Sequence, residues 1–305
     1  MKVSVCMITY NHEKFIAQAI ESVMMQEAGF QYELVIGEDC STDRTREICI
    51  ECQGRFPDRI RLLLPEKNLG MMHNFVQTLN VCTGQYVALL EGDDYWTTPR
   101  KLQKQADFLD MHQDYATCFA RTLVVTEDNH GEPSYIPFAP HRKDILTIED
   151  LLRGNSIPTC SVMFRNRLFA SFPDWFFSLA MGDWPLHIMN TQHGKAGYLD
   201  EPMAAYRGHS NSNWSSRSSM ENLLGGVDFY RIIDVYLDFA YHKLIREMLA
   251  CNYQQLAVEY FRISDRPRAI DYALKSILSL PLEAYPRRLS PRVIINGIRA
   301  IRRKT

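Results

Sequence analysis

Tyr86-Val87-Ala88-Leu89-Leu90-Glu91-Gly92-Asp93-Asp94 is the stretch on which the fold turns: an apolar run, too short for a helix, that breaks at once into carboxylates. A short apolar run bounded by a turn reads as a strand buried in a parallel sheet. Upstream of it, Val3–Thr9, Tyr32–Gly37 and Arg59–Leu64 are further β-rich runs. Helical stripes lie between them over Glu13–Gln26, Asp43–Gly54 and Asn74–Cys82, and Pro99 opens another that runs to Met111. Strand and helix therefore alternate four times in residues 1–111. That order predicts an α/β fold with a mainly parallel, doubly wound sheet and right-handed crossovers. Such sheets bind ligands at the carboxyl ends of their strands. The second strand ends in Glu38-Asp39-Cys40-Ser41-Thr42-Asp43, whose oxygen side chains suit the cap of the next helix. Two acidic clusters, after the second and the fourth strand, are thus expected at one edge.

Downstream, residues 115–210 mix strands (Ala116–Thr126, Thr159–Phe164, Gly197–Tyr206) with loops and a helix near Trp184–Asn190. From about Ser219 the pattern turns helical, over Leu223–Leu249, Tyr253–Ile263 and Arg268–Leu278. The expected division is residues 1–218 and an α-helical region, 219–305. The 305 residues are 46% hydrophobic and 23% charged, which excludes wholesale disorder, collagen and coiled coil. The net charge of −2 argues against a nucleic-acid binder that works by bulk charge. Residues 281–305 carry +6, leaving residues 1–280 at −8. Within that basic end, Ser290–Arg303 is amphipathic, with Ile294, Ile298 and Ile301 on one helical face and Arg292, Arg299 and Arg303 on the other. Residues 285–305 are accordingly read either as an interfacial helix on an anionic membrane or as a docked terminal helix. Most of the eight cysteines sit in apolar runs, and Cys49-x2-Cys52 lacks a second pair at zinc spacing. No run is long enough to span a membrane and no leader pattern is visible. The expected location is cytoplasmic, with the inner face of the membrane as the option the basic end allows.

No G-x-G-x-x-G, G-x4-G-K-[ST], G-x-S-x-G or H-E-x-x-H occurs, so dinucleotide, P-loop, serine-hydrolase and zinc-protease chemistries lose their signatures. What remains is carboxylates at strand ends. Glu91, Asp93 and Asp94 lie within four residues. Like charges that close repel unless a cation intervenes, and hard oxygen ligands suit Mn2+ or Mg2+.

Several motifs, taken in order, resemble the family-2 glycosyltransferases of GT-A fold that build bacterial cell-surface glycans. They are Val3-Ser4-Val5-Cys6-Met7-Ile8-Thr9-Tyr10-Asn11, Glu38-Asp39-Cys40-Ser41-Thr42-Asp43, Asn68-Leu69-Gly70 with Asn74, and Gly84 through Trp96 with Pro99 and Lys101-Leu102. Gly182-Asp183-Trp184 and Tyr206-Arg207-Gly208-His209 complete the set, which covers residues 1–215. The resemblance implies a mixed, mainly parallel Rossmann-like sheet and a nucleotide-sugar donor, of the UDP class by the base-reading carboxylate. The acceptor it implies is a glycan or lipid-linked saccharide. Thr9, Tyr10 and Asp39 would then line the base pocket, with Asn74 beside the donor, and Asp39 would accept from the base. Asp93 and Asp94 would hold a metal against the diphosphate, with Glu91 and His209 as further ligands. Arg207 would close over the diphosphate. Asp183 would be the general base of an inverting transfer, with the first turn of the next helix as its alternative use as an N-cap. Asn155 and Ser161 would flank a segment that faces the acceptor.

This chain departs from the family pattern at Glu38 and Glu91, where Asp is usual, and at Gly182, where Glu is usual. Gly182 is read either as making room for the acceptor or as weakening the tuning of the Asp183 pKa. Two other functions share this outline. A sugar nucleotidyltransferase would need a glycine-rich basic loop that Tyr10–Ala17 lacks. A catalytically inactive donor-binding scaffold rests on the departures at Glu91 and Gly182. The remaining histidines, His12 and His187 among them, are read as surface or packing residues.

Overall fold

The computed structural model describes residues 1–126, 134–135, 143–209 and 217–280. Residues 1–216 and residues 217–305 form two compact units. The amphipathic segment 290–303 and the rest of 285–305 lie outside the described residues.

The first unit is built on a mixed sheet. Its strands are β1 (Val3–Thr9), β2 (Tyr32–Glu38), β3 (Ile60–Leu63), β4 (Tyr86–Glu91), β5 (Tyr95–Trp96), β6 (Tyr115–Thr126), β7 (Ser134–Tyr135), β8 (Ile145–Leu146), β9 (Met163–Arg165) and β10 (Lys195–Gly208). They run in the order β3-β2-β1-β4-β9-β6-β10-β5, with β7 on β6 and β8 on β10. Strands β3, β2, β1 and β4 are parallel, as the alternation predicts. The side chains of β1, β2 and β4 are almost all buried, because helices cover both faces, while edge strand β3 buries only Ile60. These helices are α1 (Ile16–Met24), α2 (Thr45–Arg55), α3 (Met71–Asn80) and α4 (Lys101–Met111). Beyond β4 the sheet is mixed: the three-residue β9 pairs antiparallel with both β4 and β6, while β6 and β10 are parallel. Two shorter helices, α5 (Ile148–Arg153) and α6 (Asp183–Thr191), follow.

Register fixes where the chemistry falls. In β1 and β2, Thr9 pairs with Glu38; in β1 and β4, Ile8 pairs with Glu91. The ends of β1, β2 and β4 are therefore level, with β1 between the other two, and both acidic clusters leave the same edge of the sheet. Strand β10 adds its own end there through β5, pairing Ala204 with Trp96 and Ala205 with Tyr95.

The second unit contains α7 (Ser219–Tyr236), α8 (His242–Arg262) and α9 (Arg266–Ser279). Its first break differs from the expected one. The helix predicted over Leu223–Leu249 stops at Tyr236, and α8 runs unbroken through 249–253. Asp238 and Phe239 take left-handed φ values of 48° and 58°, and Phe239 N–H reaches back to the Asp234 carbonyl at 2.9 Å. No Gly or Pro marks residues 237–241, so the sequence carries no local signal for this turn. The α8–α9 turn was signalled: Asp265 caps α9 by accepting Arg268 N–H, with Pro267 in the first turn.

Candidate active site

The loops after β1 and β2 are stitched to each other. Asn11, in left-handed conformation, accepts Thr42 N–H at 2.9 Å and donates its own N–H to Ser41 Oγ at 2.9 Å. His12 N–H donates to Thr45 Oγ1 at 2.8 Å, and Asp43 accepts from Glu13 N–H and Thr45 N–H. Asp39 N–H donates to the Thr9 carbonyl at 3.0 Å. Thr9 is buried at this junction, whereas Tyr10 stands 41% exposed at the strand end. Asp39 is 2% exposed, and its two oxygens accept Leu69 N–H at 2.7 Å and Gly70 N–H at 3.0 Å. The Asn68-Leu69-Gly70 motif is thus the loop that Asp39 holds. Asn74 is buried and donates to the Gly37 carbonyl at 2.8 Å, so it pins α3 to the end of β2.

Glu38 departs from the usual Asp for a local reason. It is fully buried, pairs with Arg46 and accepts Ser41 N–H at 2.6 Å. Arg46 in turn donates to the Pro65 carbonyl at 2.9 Å. The longer arm is what reaches across to α2.

Glu91, Asp93 and Asp94 each bring a carboxylate oxygen within 4.8 Å of the others. Gly92 between them has no room for a side chain, because a Cβ there would lie 2.4 Å from Thr9 Oγ1. Asp94 Oδ1 accepts Arg207 N–H at 2.8 Å, while its Oδ2 is buried with no partner in hydrogen-bond geometry. Burial, then the charge of Asp93, pushes the Asp94 carboxyl well above its ordinary range. Burial and the charges of Asp93, Asp94 and Asp183 do the same to Glu91. Burial also pushes Asp93 up, but the hydrogen bond from His209 and the His12 ring outweigh it, and Asp93 sits below the usual carboxylate range. An orphaned buried oxygen among crowded hard donors fits a small divalent cation.

His209 Nε2 lies 3.0 Å from Asp93 Oδ2, and His12 Nε2 lies 3.6 Å from the same atom. His12, expected as a surface or packing residue, is a site residue: its Nδ1 is 3.2 Å from Thr9 Oγ1, and burial lowers its pKa against the pull of Asp93. Arg207 is held more firmly than its motif suggests. Its guanidinium donates to the Asp93 carbonyl and to Gln18 Oε1, between the rings of Phe15 and Tyr95 at 4.8 and 4.9 Å. Phe15, Gln18 and Tyr95 had no signal beyond their nearness to the β1 and β4 ends.

Asp183 opens α6 but does not cap it with its side chain. The N-cap use is therefore set aside. Its Oδ2 accepts from Asn155 Nδ2 at 2.7 Å and from Thr159 Oγ1 at 3.2 Å. Ser161, at the far end of the segment expected to face the acceptor, is fully buried and donates to the Pro158 carbonyl at 2.8 Å. The space beside Gly182 is not open for an acceptor either. A Cβ there would meet Met72 Sδ at 3.3 Å and Phe75 Cδ1 at 3.4 Å, so α3 fills it. His187 is the packing residue that one of the two expectations allows. It is fully buried, both ring nitrogens lack hydrogen-bond partners, and burial lowers its pKa to about 4.

Residues 4–174 match the family described as "Glycosyl transferase family 2". An uncharacterized protein of Mycobacterium tuberculosis is 37% identical over 213 residues, which is 70% of this chain and 60% of that protein's length. Among solved structures, S. aureus TarS 1–349 in complex with UDP-GlcNAc superposes with a TM-score of 0.67 at 22% identity, over 92% of this chain and 82% of that one. The mannosyltransferase PcManGT from Pyrobaculum calidifontis, in complex with GDP-Man and Mn2+, gives 0.55 at 14% identity, over 91% and 86%. The chain belongs to glycosyl transferase family 2, and its fold is GT-A-like.

Proposed function

We propose that this chain moves a sugar from a nucleotide-sugar donor, UDP-linked, to a hydroxyl of a glycan or lipid-linked saccharide, with inversion. The observation that carries the reading is the convergence at one sheet edge of the Glu91/Asp93/Asp94 cluster with the carboxylate of Asp183, close enough to push Glu91 up. Family membership and neighbours that bind UDP-GlcNAc and GDP-Man support it. The catalytic part is residues 1–218, and the helical region from 219 onward is a separate domain.

On this reading the base of the nucleotide lies against Thr9 and the exposed Tyr10 ring. Asp39 offers the base its remaining lone pairs, having given one from each oxygen to Leu69 and Gly70 N–H. Glu91, Asp93 and Asp94 would hold Mn2+ or Mg2+, which supplies positive charge against the leaving diphosphate. His209, bonded to Asp93, orients that carboxylate and stands as a further ligand. Arg207 sets the position of Asp94 through its N–H and lends a fixed cation to the diphosphate side. Asp183 takes the proton of the acceptor hydroxyl as that oxygen attacks the anomeric carbon from the face opposite the diphosphate. No enzyme nucleophile is needed in a single inverting displacement.

The test is a screen of UDP-, GDP-, dTDP- and CMP-sugars by thermal shift and by nucleotide release, with and without Mn2+, on the wild type and on Asp94→Ala. Metal-dependent stabilisation and turnover with one nucleotide class, lost in the variant, is the expected result. No response to any of them would sink the reading in favour of an inactive scaffold. No helix among the described residues is long and apolar enough to cross a membrane. We place residues 285–305 at an anionic membrane surface through their basic side chains; unchanged liposome binding after their deletion removes that part.

A further inference from the structure

Two donors converge on one oxygen of Asp183. Asn155 Nδ2 lies 2.7 Å and Thr159 Oγ1 lies 3.2 Å from Oδ2, whereas Oδ1 makes no hydrogen bond among the described residues. The amide of Asn155 is itself oriented. Its Oδ1 accepts Ile157 N–H at 3.4 Å, which turns Nδ2, the donor, toward the carboxylate. The backbone is tied in the opposite direction, because Trp184 Nε1 donates to the Leu151 carbonyl at 2.8 Å. Adjacent residues of α6 are thus bonded to either end of the 151–159 segment, one as acceptor and one as donor. A capping box at Thr147 and Asp150 fixes the start of α5, from which that segment continues.

We propose that Asn155 and Thr159 are positioning residues for the transfer reaction: they clamp Asp183 Oδ2 as a spectator and present Oδ1 alone to the acceptor hydroxyl. The inference rests on Asp183 being the general base, as proposed above. A carboxylate free to rotate about χ2 exchanges its two oxygens, and each exchange moves the basic lone pair relative to a bound hydroxyl. Two donors on one oxygen remove that freedom and leave the other oxygen's lone pairs aimed outward. They also link the base to the segment expected to face the acceptor, so an acceptor that shifts residues 155–159 would shift the base with it. A proton-transfer step depends steeply on such geometry: misplacement by about 1 Å costs about 100-fold.

The test measures UDP release from UDP-GlcNAc, and GDP release from GDP-Man, with Mn2+ and water as acceptor. The proteins are the wild type, Asn155→Ala, Thr159→Val, Thr159→Ser and Asp183→Asn, with melting curves for each and for the Thr159→Val/Asp183→Asn pair. Asn155→Ala and Thr159→Val are expected to lower kcat about 10- to 100-fold while the KM for the donor holds. Thr159→Ser, which keeps the hydroxyl but loses the methyl, should retain most of the turnover. In the paired variant the loss of Tm should be smaller than the sum of the two single losses. A packing role predicts the reverse order, with Val harmless and Ser damaging. Equal losses for Ser and Val, unchanged turnover in both Asn155→Ala and Thr159→Val, or additive melting shifts overturn the clamp. An Asp183→Asn variant with full turnover, or a wild type that releases neither nucleotide, overturns the base assignment beneath it and the clamp with it.

Discussion

Asp94→Asn is expected to stabilise the metal-free protein and to abolish its response to Mn2+. The reasoning starts from the two oxygens of Asp94. Oδ1 accepts Arg207 N–H at 2.8 Å, and asparagine keeps that bond. Oδ2 is buried with no N–H or O–H donor on it; the Glu91 and Asp93 carboxylates bring oxygens within 4.8 Å, and the weak Cys160 thiol donor lies beside the carboxylate. In the variant an N–H2 donor takes its place, facing acceptors instead of repelling them. An unsatisfied buried polar group costs about 1–3 kcal/mol. In a unit of this size each kcal/mol is worth about 2–4 °C, so the gain in Tm is about 2–12 °C. The sign depends on pH. Asp94 and Glu91 have folded pKa values raised above their unfolded ones. The stability this confers is complete below the unfolded carboxylate range, about pH 4, and is lost as pH rises through the raised values. The advantage of Asp94→Asn should therefore be largest at pH 8 and shrink toward pH 4. With Mn2+ at about 100 times its Kd, the wild type gains about 2.7 kcal/mol, or about 5–11 °C, and the variant gains none. Melting curves in EDTA and in Mn2+ at pH 5 and pH 8 read both effects. A variant that melts below the wild type in EDTA at pH 8, or that gains as much from Mn2+, would refute the account of a strained acidic site relieved by a cation.

Gly92→Ala places a methyl 2.4 Å from Thr9 Oγ1 and 3.0 Å from His12 Nδ1; overpacking of this kind costs about 1–3 kcal/mol, and a denaturant midpoint equal to that of the wild type would contradict it. Arg46→Met strands the fully buried Glu38 carboxylate and should cost about 3 kcal/mol by urea unfolding; no measurable loss would mean that Ser41 N–H alone satisfies Glu38. Lys101 is fully buried under the Trp96 ring, with Nζ 2.6 Å from Gln105 Oε1, and burial lowers its pKa to about 7. Its folded pKa lies below its unfolded one, so the stability it contributes is present above the unfolded value of about 10.4 and is lost as pH falls toward 7. The wild type should thus gain on Lys101→Met between pH 7 and 10, and a constant gap between their melting curves across that range would rule this out.

How far the sequence could be read depends on how local each determinant is. Strands β1, β2 and β4 declare themselves because apolar runs and the carboxylates that follow them are contiguous in the chain. Strand β5 has two residues, too few for any period, and only its pairing with a distant strand defines it; the strand expected over Thr159–Phe164 begins instead at Met163, because Thr159–Ser161 closes into a 3-10 turn. The same holds inside the site. Thr9, Asp39, Glu91, Asp93 and Asp94 sit at strand ends and are visible as such. Gln18, Phe15 and Tyr95 acquire a role only through Arg207, and Asn155 and Thr159 only through Asp183, partners brought close by the sheet and by α5 and α6. Hydrogen bonding across such separations leaves no spacing to detect. The turn at 237–241 was hidden for another reason: left-handed Asp238 and Phe239 occur there without the glycine that usually marks the conformation.

The departures from the family pattern are where this locality matters most for function. The chain departs at Glu38, Glu91 and Gly182, and the last two, read alone, hint at a donor site that has lost its chemistry. Packing gives two of the three another cause. Glu38 carries the extra methylene that its bond to Arg46 on α2 requires, while Asp39 beside it keeps its oxygens on the 69–70 loop. Gly182 is small because Met72 and Phe75 of α3 occupy the volume a side chain would need. A glutamate there would have to displace them, and Asp183 takes its order instead from Asn155 and Thr159 on the opposite side. Glu91 is the remaining departure, and its longer arm still delivers an oxygen within 4.8 Å of Asp93 and Asp94. A scaffold freed from catalysis has no reason to keep two carboxylates raised by burial and by their neighbours' charge at the cost of folding stability. Their retention beside an ordered Asp183 is what the proposed metal-assisted transfer, with Asp183 as its base, would require.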